Sequence, residues 1–335
     1  KQLISKIYKQ LMQLNSKKIN DMKINESIID TGSRKVNKIE GEYITIIHHD
    51  ICKCVAYSVL EHYDIPDHKD TIMMLNMPIL PNENMIDLGQ FRWKIYYNFE
   101  HYITTLMPSM EGSRNWFNYL WSWILDSGFN EVWDFLAENI NIYPGQIRDN
   151  IPVKFMPPRY TTLFDKYRKM RNNYFMIHGE PKYDLLFTGA YDNELRLSIM
   201  KELTDPYRDN IMNLPKIINL NGCPSFESMD IQANCRFVLD FPHYSLTDQT
   251  QNVLRIFEYL CLGNDIMAHV NPKFNNYFPG IIHEVYGDTP REFVDNLYDK
   301  VTKESSSGNS WKMYKKLTYS DIAYEKYRSM FEKSC

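Results

Sequence analysis

The sequence predicts an α/β protein of two domains, each a mostly parallel sheet covered by helices on both faces. Short apolar runs of strand length alternate with amphipathic stretches of helix length along most of the 335 residues, the order that parallel sheets require. That length, with 44% hydrophobic residues, can furnish two ordinary cores. The alternation breaks once, in the proline-paired, charge-rich segment PPRYTTLFDKYRKMRNNYFMIHGEPK, where the domain boundary is placed.

Residues 1–40 are polar and Lys-rich, and KQLISKIYKQLMQL sets Leu3, Ile4, Ile7, Leu11 and Leu14 near a 3.6-residue period, so they read as a helical arm. Residues 41–165 form the first domain. Its strands are expected in EYITIIHHD (42–50), TIMMLNMPIL (71–80), RWKIYYNFE (92–100) and PVKFMPP (152–158). Its helices are expected in ICKCVAYSVLEHY, over 115–125 and around Ile140. In NWFNYLWSWIL, Trp116, Leu120 and Trp123 fall at helical spacing and read as core before they read as a platform for a sugar ring.

Residues 166–304 form the second domain, with strands in YDLLFTGAY (183–191), PKIINLNG (215–222), CRFVLDF (235–241) and NDIMAHV (264–270). Helices are expected over 193–203, 226–233 and 251–262. In TPREFVDNLYDKVTK, Thr289 is an N-cap, Pro290 takes the first helical position and Glu292 puts an acid in the first turn. A Ser-rich linker then leads, within 305–335, to a last helix over 318–333 that is expected to pack back on the first domain.

Composition excludes several classes. A formal net charge of −4 argues against a general binder of phosphate backbone. The six cysteines, at 52, 54, 223, 235, 261 and 335, form no C-x-x-C pair and read as reduced core thiols. No D-x-D motif or His/Cys cluster announces a metal. No stretch reaches the roughly 20 apolar residues that span a bilayer, and the first residues lack the apolar centre of a secretion signal, so the expectation is a soluble cytoplasmic protein.

Open parallel sheets bind ligands outside the carboxyl ends of their strands. That rule selects His48, His49 and Asp50, then Asn98, Glu100 and His101, then Thr188 and Gly189, then the turn from His243 to Gln251. The last is the most specific. In FPHYSLTDQTQNVLRIFEYLCLGN a strand end runs through a polar, glycine-free turn into an amphipathic helix, whose start favours an anion by about 1 kcal/mol. Ser245, Thr247, Gln249 and Thr250 add donors for a diphosphate, Arg255 can neutralise it, and Glu258 can accept the hydroxyls of a ribose. The same residues also read as ordinary helix caps, and Arg255 with Glu258 as an i,i+3 ion pair.

The stretch CRFVLDFPHYSLTDQTQNVLRIFEYLCLGNDIMAHV resembles the donor-binding part of GT-B glycosyltransferases, in particular bacterial and viral enzymes related to those that build surface polysaccharide. The matching elements are the strand ending at Phe241, the polar turn, the Arg255-x-x-Glu258 helix, Gly263 and the short strand Ile266 to Val270. KIYYNFEH, FNEVWDFLAENI and VKFMPPRY are similar to upstream elements of the family, and YDLLFTGAYDNELRLSIMKEL to the first strand and helix of its second domain, with Gly189 at the tight turn and Arg196 in the helix.

The resemblance implies two Rossmann-like domains with parallel sheets facing across a cleft. It also implies transfer of a sugar from a nucleotide-diphosphate sugar to a hydroxyl of a glycan or other acceptor, with neither metal nor further cofactor. Donor binding falls to Gly189, His243, Ser245, Thr247, Gln249, Thr250, Arg255 and Glu258. His49, Asp50 and Glu100 are the candidates for a base on the acceptor side, needed only if the reaction inverts; Asn98 and Glu100 also read as caps for the next loop. The loop at IIHHD lacks the Gly-Gly frequent in the family, which leaves the acceptor side open. Other readings are a nucleotide-sugar epimerase or hydrolase, a noncatalytic glycan- or nucleotide-binding protein, and a transferase acting on modified nucleic acid, for which the Lys-rich arm is the one encouragement.

Overall fold

A computed structural model of the chain describes residues 23–30, 35–49, 52–62, 70–76, 86–99, 111–179, 181–188, 194–205, 217–220, 229–240, 253–269, 282–304 and 308–332. The chain divides into two compact units, Lys1–Leu163 with Lys316–Cys335, and Phe164–Lys315. Both are mixed α/β with parallel sheets.

The first unit contains β1 (Asn25–Asp30), β2 (Lys35–Glu40), β3 (Ile44–His48), β4 (Thr71–Leu75), β5 (Trp93–Asn98), β6 (Glu131–Asp134) and β7 (Val153–Phe155), lying in one sheet in that same order. β1, β2 and β3 pair antiparallel, and β3 to β7 pair parallel. Residues 25–30 and 35–40, expected to belong to a helical arm, are paired strands instead; residues 1–22 and 31–34 lie outside the described residues. The correction has a physical basis. β2 sits between two strands and buries both faces, leaving Val36 and Ile39 each 1% exposed. The charges of β1 and β2 are met nearby, Lys38 by Glu40 along β2 at 2.5 Å and Glu26 of β1 by Lys53 at 3.0 Å.

β4 reads TIMML and is buried at every position, as a parallel strand covered on both faces must be. α1 (Lys53–His62) follows β3, and α2 (Glu111–Asp126) follows β5. On α2, Phe117, Leu120, Trp121 and Ile124 follow helical spacing and pack on Ile47, Ile72, Met74, Tyr96 and Val132. Leu120 and Trp123 are core, as their spacing implied. The alternate residues Tyr97 and Trp133 face Val55 and Val59 of α1 around a cavity of about 50 Å³. The short helices α3 (Ala137–Ile140) and α4 (Gly145–Arg148) join β6 to β7.

In the second unit α5 (Asp165–His178) occupies the charge-rich segment and ends at Gly179, with φ 75°. Then come β8 (Tyr183–Thr188), α6 (Glu194–Leu203), β9 (Ile217–Leu220), α7 (Met229–Ala233), β10 (Cys235–Asp240), α8 (Val253–Leu262), β11 (Asp265–Ala268), β12 (Ile282–Glu284), α9 (Pro290–Lys303) and α10 (Ser310–Thr318), the last residues of which, from Lys316, are counted with the first unit. The five strands are parallel in the order β12-β11-β10-β8-β9. The chain therefore steps from β8 to β9 in one direction and resumes at β10 on the other side of β8. That reversal is a topological switch point; the consecutive order of the first sheet has none.

Ile199, Met200 and Leu203 of α6 and Phe293, Val294, Leu297 and Val301 of α9 cover Leu185, Phe187, Phe237, Leu239 and Met267. The start of α9 is built as its sequence implied: the Thr289 hydroxyl accepts from Glu292 N at 3.2 Å, and the Glu292 carboxylate accepts from Asp288 N at 3.0 Å. Gly287 lets this turn close, because a Cβ there would lie 2.3 Å from Phe293 N and 2.5 Å from its Cα. Gly287→Ala should push the first turn of α9 outward and cost about 1–3 kcal/mol. A urea midpoint equal to that of the parent chain would contradict the close approach.

The chain closes with α11 (Asp321–Glu332), which returns to the first unit. Arg328 Nε donates to Phe155 O and Tyr324 Oη to Pro157 O, each at 2.7 Å. Cys52, Cys54, Cys235 and Cys261 are buried and in no disulfide. Among the described residues no helix is long and apolar enough to cross a membrane.

Candidate functional site

The switch point of the second sheet lies between the carboxyl ends of β8 and β10, and these strands end on polar residues. Thr188 closes β8 and is 3% exposed; Asp240 closes β10 and is 1% exposed. The Thr188 hydroxyl meets the Tyr259 hydroxyl of α8 at 2.5 Å. Burial raises the Tyr259 phenol above its ordinary range, so it stays protonated.

Asp240 is the centre of charge. Its carboxylate has no hydrogen-bond donor among the described residues. Arg255 Nη1 of α8 lies 3.9 Å from Oδ1, and Arg196 of α6 acts on the same carboxylate. Burial pushes the acid up to about 6, with Arg255 and then Arg196 pulling the other way. Neither arginine is a surface group: Arg196 is 6% exposed and the Arg255 side chain 16%. Guanidinium groups held in a low-dielectric edge interact with an anion far more strongly than they would in water.

α8 departs from the simple amphipathic helix its spacing suggested. Every residue from Ile256 to Leu262 is buried, and Glu258 is 2% exposed. The helix lies against β11, α5 and α7, so its polar side is enclosed along with its apolar side. Arg255 and Glu258 are therefore not an exposed ion pair. Gly263, with φ 87°, ends the helix, its N–H donating to Tyr259 O at 3.0 Å. Because β11 begins directly after that turn, the start of α8 lies at the carboxyl edge, the same end as Thr188 and Asp240.

Of the expected donor-binding residues, Arg255 and Glu258 are described and lie in one cluster. Gly189, His243, Ser245, Thr247, Gln249 and Thr250 lie outside the described residues, as do Asp50 and Glu100. Asp240, Arg196, Thr188 and Tyr259 complete the cluster. Thr188 was legible as a strand-end residue and Arg196 as a helix residue; no local signal marks Asp240, which reads as the polar end of a buried strand.

At the carboxyl edge of the first sheet His49 is partly exposed, while its carbonyl accepts from Cys52 N at 2.9 Å and from His48 Nδ1 at 2.7 Å. A carbonyl can only accept, so His48 carries its proton on Nδ1. Asn98 and Asp134 end β5 and β6 fully buried. Asp134 accepts from Asn98 Nδ2 at 2.8 Å, Leu136 N at 2.8 Å, Tyr143 Oη at 2.5 Å and Asn139 Nδ2 at 3.1 Å. That carboxylate is a structural knot. Asn98 serves it through Nδ2, and the loop amides that Asn98 and Glu100 were expected to cap lie outside the described residues. Among the described residues, His, Cys, Asp and Glu nowhere gather in threes as a metal ion would need.

No family model matches the chain, and no curated protein matches it. Among solved structures it is similar to the crystal structure of AviGT4, a glycosyltransferase involved in avilamycin A biosynthesis, at 12% identity and a TM-score of 0.41, over 84% of this chain and 89% of that one. At that distance the likeness sets no chemistry.

Proposed function

We propose that the chain is a glycosyltransferase of GT-B type that moves a sugar from a nucleotide-diphosphate sugar to an acceptor hydroxyl, and that the diphosphate sits at the carboxyl edge of the second sheet. The observation that carries this reading is the pair of enclosed arginines, Arg255 and Arg196, converging on the end of β10 at the switch point. In this reading Arg255 and the start of α8 stabilise the charge that develops on the departing diphosphate, the term expected to dominate the rate. Glu258 accepts the ribose hydroxyls. An inverting reaction also requires a base for the acceptor proton, proposed among His49, Asp50 and Glu100.

Calorimetric titration with UDP, GDP, ADP and CDP tests the site. At least one should bind, and Arg255→Ala should weaken that ligand by about tenfold or more. Failure of all four would remove the reading. With the matching nucleotide sugars and a panel of acceptors, mass spectrometry should find transferred sugar, slowed about 10²- to 10³-fold in Arg255→Ala. Sugar isomerised or hydrolysed with no acceptor requirement would point instead to an epimerase or hydrolase.

A further inference from the structure

We propose that Asp240 competes with the incoming anion for Arg255 and Arg196, so that binding of a diphosphate drives its carboxylate to take up a proton. The inference rests on the anion site proposed above.

Geometry carries it. Asp240 is 1% exposed, and neither carboxylate oxygen has a hydrogen-bond donor among the described residues. A buried carboxylate normally accepts several hydrogen bonds, as Asp134 does in the first unit; without them its ionised form depends on neighbouring positive charge. The Arg255 contact, at 3.9 Å, is a charge pair beyond hydrogen-bond reach. The carboxylate is thus held by Coulomb attraction from two groups that a phosphate would also engage.

A phosphate seated on those guanidiniums adds negative charge beside a carboxylate that water cannot screen. Like charges enclosed together repel far more strongly than they would in water, enough to weaken binding by about tenfold. Protonation of Asp240 relieves the repulsion, and the group is within reach of it near neutral pH, since burial has already raised it to about 6. The sign follows from linkage. The bound state holds more protons than the free state, so affinity falls as pH rises through and above the titration of Asp240.

Around Asp240 stand Arg196 of α6 and Arg255 of α8, which act on its carboxylate, and Tyr259 of α8, which feels the charges of both Asp240 and Glu258 and meets Thr188 at the end of β8; His269 after β11 donates its backbone N–H to Asp240 O at 3.3 Å. The arginines keep their charge throughout, burial keeps Tyr259 protonated, and burial lowers His269, favouring its neutral form. Glu258 is present in both proteins of the test and cancels in their difference.

The experiment compares the parent chain with Asp240→Asn, by calorimetry with UDP, GDP and inorganic pyrophosphate at pH 5.5 and pH 8, in buffers of different ionisation enthalpy. Titration of the ligand's own phosphate is common to both proteins. At pH 8 the variant should bind the active ligand about tenfold more tightly than the parent, at pH 5.5 the two should converge, and the parent should take up more protons on binding. Equal or weaker binding by Asp240→Asn at pH 8, with unchanged proton uptake, overturns the role of Asp240 while leaving the anion site standing. No binding of any probe to the parent overturns both. Should the variant not fold, as judged by circular dichroism, the parent decides alone with a nucleotide sugar, whose phosphates do not titrate near neutral pH: net proton uptake supports the proposal, and none refutes it.

Discussion

Replacing Asp134 with Ala is expected to lower stability by about 3–5 kcal/mol, a large part of what holds a domain of this kind folded. The side chain is fully buried at the end of β6 and gathers donors from three places: Asn98 of β5, Asn139 of α3, and Leu136 N with Tyr143 Oη in the segments flanking α3. Truncation leaves all of them buried without their acceptor, and each such orphan costs about 1–3 kcal/mol when nothing relaxes to meet it. Chemical denaturation followed by tryptophan fluorescence is the natural measurement, since Trp133 precedes Asp134 and Trp121 packs on Tyr143 at 4.8 Å. A loss below 1 kcal/mol would mean that the network is not the knot it resembles.

The same residue gives a pH dependence opposite to ordinary acid denaturation. Burial pushes the Asp134 carboxyl up to about 7, although hydrogen bonds from Asn98, Tyr143, Leu136 and Asn139 pull it down. In the unfolded chain the group titrates near 3.9. Between those values the folded state binds more protons than the unfolded state, so this contribution is complete below about pH 4 and fades as pH rises towards about 7. Asp134→Asn has no such titration. The stability difference between parent and variant should therefore shrink from pH 4 to pH 7; a difference that grows over that range would reverse the sign assigned to the group.

The second large effect is expected at Arg159. Its guanidinium donates from Nε to Thr318 O at 2.8 Å, from Nη1 to Asp321 Oδ1 at 2.8 Å and from Nη2 to Tyr319 O at 2.6 Å. It also lies 4.6 Å from the centre of the Tyr324 ring. These hydrogen bonds therefore hold the turn from α10 into α11 against the segment after β7. Charge-assisted bonds contribute about 1.5–3 kcal/mol each but do not add when they share one side chain, so Arg159→Ala should cost about 3 kcal/mol. The loss should be local first. Glu61, 6% exposed, makes a parallel link by accepting from Thr161 Oγ1 at 2.8 Å, Thr162 N at 2.7 Å and Tyr319 Oη at 3.1 Å. Limited proteolysis should release fragments cut within 318–332 from the variant well before the parent is cut. Identical digestion of the two would contradict the anchoring role. Arg159→Lys should recover little, because an ammonium cannot reach three carbonyl and carboxylate oxygens in the plane of a guanidinium.

Individual elements were legible wherever local chemistry fixes them. ITIIH and TIMML are too continuously apolar for an exposed element, and Thr289, Pro290 and Glu292 satisfy the start of α9 within one turn. Misreading came where local chemistry is ambiguous. NESIID and KVNKIE carry enough charge to pass for a solvated arm, and only pairing with β3 makes Val36 and Ile39 core residues. Arg255 and Glu258 stood out by spacing, but spacing alone could not tell an exposed polar face from an enclosed one.

By itself the sequence determined the alternation of strands and helices and the composition of the strand ends, because hydrophobic period, capping and turn chemistry act between residues a few positions apart. The tertiary structure alone decided the consecutive order of the first sheet and the reversed order of the second, and so which strand ends face a switch point. It also decided that Arg196, Asp240 and Arg255 share one enclosed edge although 44 residues separate the first from the second. The strength of their charges there is set by the exclusion of water, a property of packing between distant segments and not of any residue in its own stretch of chain.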